Sequence, residues 1–209
     1  MNHCLNPLKQ ALKTLFEKES PAMIDTMARA LEQILEKGSI GVRDLRNLPE
    51  GEDALLLMDE WRLIQPVGGS ATKAWEDTSQ LLATGGSFDL DFPAWIRTLV
   101  RRACETGKFQ VRQAILTFFS DEGHSAWLKM PLFLFNLAKH SQNGIIDSIL
   151  INRLLREMPL GVSSDTLIAQ LKGYGFISPH LRADFFRMRS PHYEIHPLAV
   201  YAGEEEEEA

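Results

Sequence analysis

The chain has 209 residues, is 44% hydrophobic and 24% charged, and carries a net charge of −6. Those values are ordinary for a folded soluble protein of one large or two small domains, with enough apolar residues to bury real cores. No apolar run is long enough to span a bilayer, and Met1 to Pro7 lacks a basic region followed by an apolar core, so neither a membrane segment nor a secretory signal is expected. Cys4 and Cys104 are far apart in sequence and form no metal or redox motif, so a reduced, cytoplasmic setting is the default expectation.

The placement of charge is more informative than its total. Residues 1–96 hold nine Lys/Arg against fifteen Asp/Glu. Residues 97–203 hold thirteen against eight, and five glutamates follow from Glu204 to Glu208. A mildly basic second half is therefore masked by an acidic first half and an acidic tail.

Leu5, Leu8, Leu12, Leu15 and Phe16 recur at helical spacing, which predicts a leading amphipathic helix over Pro7 to Glu19. It packs on the first domain or serves as a dimerisation helix. Ser20 can cap the next helix and Pro21 suits its first position. Met23, Ile24, Met27, Ala28, Leu31, Ile34 and Leu35 share its apolar face, and Gly38 is a natural end. Ile40 then opens a short strand. Val42, Leu45 and Leu48 mark a second, short helix, stopped by Pro49, and Ala54, Leu55, Met58 and Trp61 mark a third. Leu63 and Ile64 turn extended before Pro66. Gly68-Gly69-Ser70 is a turn, and Lys73, Ala74 and Trp75 return as a second strand.

This order of helix, turn, two helices, strand, turn and strand resembles a winged-helix domain. In winged-helix DNA binders the third helix usually enters the major groove. Here Glu50, Glu52, Asp53, Asp59 and Glu60 crowd that helix against Arg62 alone, and a phosphate backbone repels such a surface. The resemblance therefore implies a protein-binding or structural use for the first domain.

Thr84-Gly85-Gly86-Ser87 reads as the linker between domains. Beyond it, Phe92 to Glu105 and Phe109 to Ser120 are expected helices. Met130 to Ala138 is apolar nearly all round and is expected in the core. Ile145 to Met158 is the next predicted helix, and Ser163 or Ser164 caps another that ends at Lys172-Gly173-Tyr174-Gly175. Phe176 to Pro179 and Tyr193 to His196 read as paired strands. This half also resembles a winged-helix domain, more loosely, with His180 to His192 as a long wing.

That wing is the main binding candidate. Arg182, Arg187 and Arg189 lie in it with Phe185 and Phe186. Wing arginines of DNA-binding relatives reach phosphates or the minor groove, a task that suits the planar, multidentate guanidinium. Lys172, at the end of the preceding helix, could add a phosphate contact. The competing reading is a solvated basic loop with its phenylalanines anchored in the core.

No catalytic constellation stands out. His192 and His196 are four apart but expected on a strand, with no cysteine beside them, so no metal site is expected. Gly68-Gly69 and Gly85-Gly86 lack the flanks of a phosphate loop. Asp89 and Asp91 read as an acidic loop before a helix, and no nucleophile motif surrounds any serine. The tail from Glu204 is expected to be disordered. Folded back on the basic half, it would act as an electrostatic brake whose removal after Gly203 strengthens DNA binding.

The expected fold class is mostly α with small β wings, in two winged-helix-like domains: residues 1–84 with the leading helix, residues 88–201, and an acidic tail over 202–209. The expected function is a non-enzymatic regulatory role in transcription, binding DNA through the C-terminal domain, without a cofactor. The alternative is a tandem winged-helix adaptor that assembles a larger complex with a protein partner or a second copy of itself.

Overall fold

The computed structural model describes residues 4–68, 74–83, 86–121, 129–180 and 190–204. Its elements run α1 (Leu5–Leu15), α2 (Pro21–Lys37), β1 (Ile40–Gly41), α3 (Val42–Arg46), α4 (Gly51–Glu60), β2 (Gln65–Pro66), α5 (Trp75–Ala83), β3 (Asp89–Asp91) and α6 (Ala94–Thr106). They continue α7 (Val111–Asp121), α8 (Met130–Lys139), β4 (Ile145–Asp147), α9 (Ser148–Glu157), α10 (Ser164–Tyr174), β5 (Ile177–Pro179), β6 (His192–Ile195) and α11 (Pro197–Glu204). The chain is mostly helical, with two small antiparallel sheets of three strands. Residues 1–69 and 81–110 form one compact unit, and residues 70–80 and 111–209 form the other. Among the described residues no helix is long and apolar enough to cross a membrane.

In unit 1, α1 buries Leu8, Ala11 and Leu12 against α2 and α6, so its apolar stripe is occupied within the unit. Lys9 of α1 pairs with Asp25 of α2, which Arg29 also reaches at 2.6 Å. Cys4, just before α1, is disulfide-bonded to Cys104 of α6. The two cysteines that look unrelated in sequence are thus joined, because α1 and α6 pack side by side. The start of α2 follows from its sequence: the Met23 amide donates to Ser20 Oγ at 3.0 Å, Pro21 takes the first helical position, and Gly38 ends the helix at φ +92°.

The helices α3 and α4 meet closely. A Cβ on Gly51 would lie 2.1 Å from the Leu45 carbonyl oxygen. Buried Thr26 donates to the Pro49 carbonyl at 2.6 Å and so ties α2 to the turn before α4.

The sheet of unit 1 has the order β1-β3-β2, with Ile40 opposite Leu90 and Gln65 opposite Asp91. Its central strand is Asp89–Asp91, which sequence reasoning takes for an acidic loop. Leu90 points into the core, and Asp91 is held by Arg97 and by the Phe92 amide at 2.6 Å. Pro66 is tolerated because β2 is an edge strand. The strand expected at Lys73 to Trp75 does not form over its described part. Trp75 instead begins α5, where Glu76 and Asp77 in the first turn favour a helix start; Lys73 lies outside the described residues.

In unit 2 the sheet has the order β4-β6-β5, with Ile146 opposite Tyr193 and Ser178 opposite Glu194. The helix expected from Ile145 begins only at Ser148. Asp147 caps it by accepting from the Leu150 amide at 2.7 Å, which frees Ile145 and Ile146 to extend as β4. The apolar helix α8 is indeed core: Phe133, Leu134 and Leu137 are fully buried. It packs on α11, which sequence reasoning does not anticipate and whose Leu198, Ala199 and Ala202 are equally buried. Phe118, Phe119, Tyr174 and Phe176 form an aromatic cluster, with Phe119 and Phe176 stacked at 5.2 Å.

Candidate functional site

Three surfaces carry the polar chemistry. The first is α4, the third helix of the α2–α3–α4 series. Ala54, Leu55 and Met58 face the core, and Glu52, Asp53, Leu56 and Glu60 face solvent. Asp59, expected on the acidic surface, is buried and pairs with Arg62 at 3.1 Å. Arg46 pairs with Glu52 at 2.5 Å and donates to the Leu82 carbonyl at 2.8 Å. Leu56, 48% exposed, therefore stands between Asp53 and Glu60, three residues before it and four after it on one helical face.

The second surface, in unit 2, is α10. Ser163 caps it by accepting from the Thr166 amide at 3.2 Å, and Gly175 closes it at φ +83°. Leu167 and Leu171 are buried, while Asp165, Thr166, Ala169 and Gly173 are exposed. Lys172 is half-buried in the last turn. Arg182, Arg187 and Arg189 lie outside the described residues, as do Phe185 and Phe186. The segment that holds them joins β5 to β6, and these strands pair antiparallel up to Pro179 opposite Tyr193. The His180 amide then donates to the His192 carbonyl at 3.0 Å.

The third surface lies beside that strand pair. His180 Nδ1 is 2.5 Å from Glu194 Oε1 and 3.6 Å from Glu76 Oε1. The His180 side chain is 3% exposed, against 23% for Glu194 and 35% for Glu76. Among the described residues this is the group of His, Cys, Asp or Glu side chains close enough to hold a metal ion. Its backbone is fixed independently of those side chains, because the Trp75 amide donates to buried Ser178 Oγ at 2.9 Å and Ser178 sits opposite Glu194. Sequence reasoning weighs His192 with His196 and expects no metal site from them. His192 opens β6, whereas His196 follows it, fully buried, accepts from the Leu198 amide at 3.2 Å and meets the edge of Trp75. Nothing in the spacing of residues 76, 180 and 194 announces their meeting, which depends on α5 reaching the β5–β6 pair.

An open cleft of about 560 Å³ also lies in unit 2, lined by His140, Asp147, Ile149, Arg153 and His192 among others. The Nδ1 atom of His140 contacts the Asn136 carbonyl oxygen at 2.8 Å, and among the described residues no serine, threonine or cysteine lines the cleft.

No curated protein and no solved structure matches the chain. A protein-family model spans residues 7–205, so the chain belongs to that family, whose description names no activity.

Proposed function

We propose that the chain is a non-enzymatic adaptor of two winged-helix-like domains that binds a protein partner through the outer face of α4. The winged-helix reading is supported by the same series in each unit: helix, strand, two helices, then two strands, with the last strand central in the sheet. In unit 1 that series is α2, β1, α3, α4, β2 and β3, with α5 inserted in the chain between the last two strands. In unit 2 it is α8, β4, α9, α10, β5 and β6.

The observation that carries the partner reading is Leu56 exposed between Asp53 and Glu60. At the helix position that reads DNA in this fold, carboxylates repel phosphate. The same face suits a protein surface that presents an apolar pocket rimmed by Lys or Arg. Covering the exposed half of Leu56 contributes about 1 kcal/mol by area alone. The counterpart α10 exposes Asp165, Thr166, Ala169 and Gly173, and half-buried Lys172 is the single Lys or Arg it carries for a nucleic-acid contact.

A second reading keeps DNA as the ligand of unit 2. Its support is that Arg182, Arg187 and Arg189 fall between two paired strands, where a wing lies in this fold. The Cys4–Cys104 disulfide runs against the cytoplasmic setting expected from the sequence, because disulfides rarely persist there.

The adaptor reading is tested by affinity capture of the full tagged chain from its source cells with quantitative mass spectrometry. A partner recovered by the unaltered chain and by Lys172→Ala, and lost with Leu56→Lys, is the expected outcome. Identical recovery with and without Leu56→Lys contradicts the reading.

A further inference from the structure

We propose that Glu76, His180 and Glu194 form a three-ligand zinc site at the root of the β5–β6 pair. The case begins with distances. One ligand atom from each residue lies within 4.8 Å of the others. Ligand atoms of a tetrahedral zinc ion stand about 3.3 Å apart, given bonds of about 2.0–2.2 Å to nitrogen and oxygen. The 3.6 Å between His180 Nδ1 and Glu76 Oε1 already suits that geometry. The 2.5 Å contact to Glu194 is a hydrogen bond, in which Nδ1–H donates to a carboxylate. Zinc takes the place of that proton, and the nitrogen and oxygen separate to span the ion.

Chemistry narrows the ion. Imidazole suits zinc, whereas magnesium and calcium prefer oxygen donors alone. Two carboxylates cancel the charge of a divalent cation, which a half-dry position requires.

Burial then sets the number of protein ligands. His180 closes the inner side, while Glu194 and Glu76 are progressively more open. The outer side leaves room for a water as the fourth ligand, the pattern of an open rather than a closed zinc site. The ligands come from the first turn of α5, the residue after β5 and the middle of β6. Their backbones are already registered by the Trp75–Ser178 and His180–His192 hydrogen bonds, so the site needs side-chain adjustment only. The ion would join α5 to both strands that flank residues 181–189.

The test is titration of the full chain, stripped with EDTA, with zinc chloride by calorimetry, and with cobalt chloride read by visible absorption. The expected result is one equivalent of zinc per chain and the visible bands of four-coordinate cobalt. His180→Asn and Glu194→Gln should each weaken binding by more than about 100-fold, beyond the 10–100-fold that outer-shell partners typically cost. Glu76→Gln, a change at a part-exposed first helical turn, should do the same without affecting folding by circular dichroism. His140→Asn should bind as the unaltered chain does. No bound zinc, or binding unaltered by His180→Asn and Glu76→Gln, as when the acidic tail collects the ion, overturns the proposal.

Discussion

Cys4, at the start of α1, is bonded to Cys104 in α6, at a sequence separation of 100. A crosslink over so long a loop stabilises chiefly by restricting the unfolded chain. Reduction, or Cys104→Ser, should therefore lower the stability of unit 1 by about 2–4 kcal/mol. Urea unfolding with and without dithiothreitol measures it. Coincident curves from chain shown by mass to be oxidised contradict the prediction.

The same helix is held electrostatically. Hydrogen bonds from Lys9 and Arg29 hold the Asp25 carboxyl below its ordinary value of 3.8. A depressed folded-state pKa contributes stability above the unfolded value, and that contribution is lost as pH falls through the folded one. Asp25 is partly exposed, so the effect is modest. Asp25→Asn should flatten the loss of thermal stability as pH drops below about 4, while moving the neutral-pH melting temperature little. Parallel acid profiles for the two proteins would contradict this.

Gly51 admits no side chain, because a Cβ there would strike the Leu45 carbonyl at 2.1 Å. Gly51→Ala gains helix propensity but forces α3 and α4 apart. A net destabilisation of roughly 1–3 kcal/mol is expected, as for other overpacked contacts. A neutral or stabilising effect in denaturant unfolding would show that α3 yields without cost.

Glu194 accepts from nearly buried His180. Glu194→Ala removes that hydrogen bond and should cost about 1–2 kcal/mol. Local opening should show it first, as faster hydrogen exchange at the His180 amide, which bonds the His192 carbonyl. Unchanged exchange there would separate the side-chain contact from the stability of the strand pair.

The helices were largely legible in the sequence. Ser20, Pro21 and Gly38 bracket α2 because capping and left-handed termination are local effects. The strand pairing was legible only where an apolar run met a turn, at Phe176 to Pro179 and its partner. Strands of two or three residues offer too little alternation to read. Asp89–Asp91 becomes a central strand only because β1 and β2 lie on either side of it. Ile145 and Ile146 fit a helix or a strand equally well until Asp147 caps α9. The Glu76–His180–Glu194 cluster and the cysteine pair had no local signal at all, since each is made by packing between elements distant in sequence. The acidity of α4 was legible as charge, but not that Asp59 turns inward and leaves Leu56 on the surface.

A labelled random DNA duplex, titrated with the full chain at low and at moderate salt and read by fluorescence anisotropy, tests the central claim most directly. An adaptor with an acidic α4 and an α10 that carries the single half-buried Lys172 should leave the anisotropy unchanged at both salt concentrations. Binding that weakens steeply with salt and disappears in Arg187→Ala/Arg189→Ala would contradict it, and would make residues 181–189 the nucleic-acid contact.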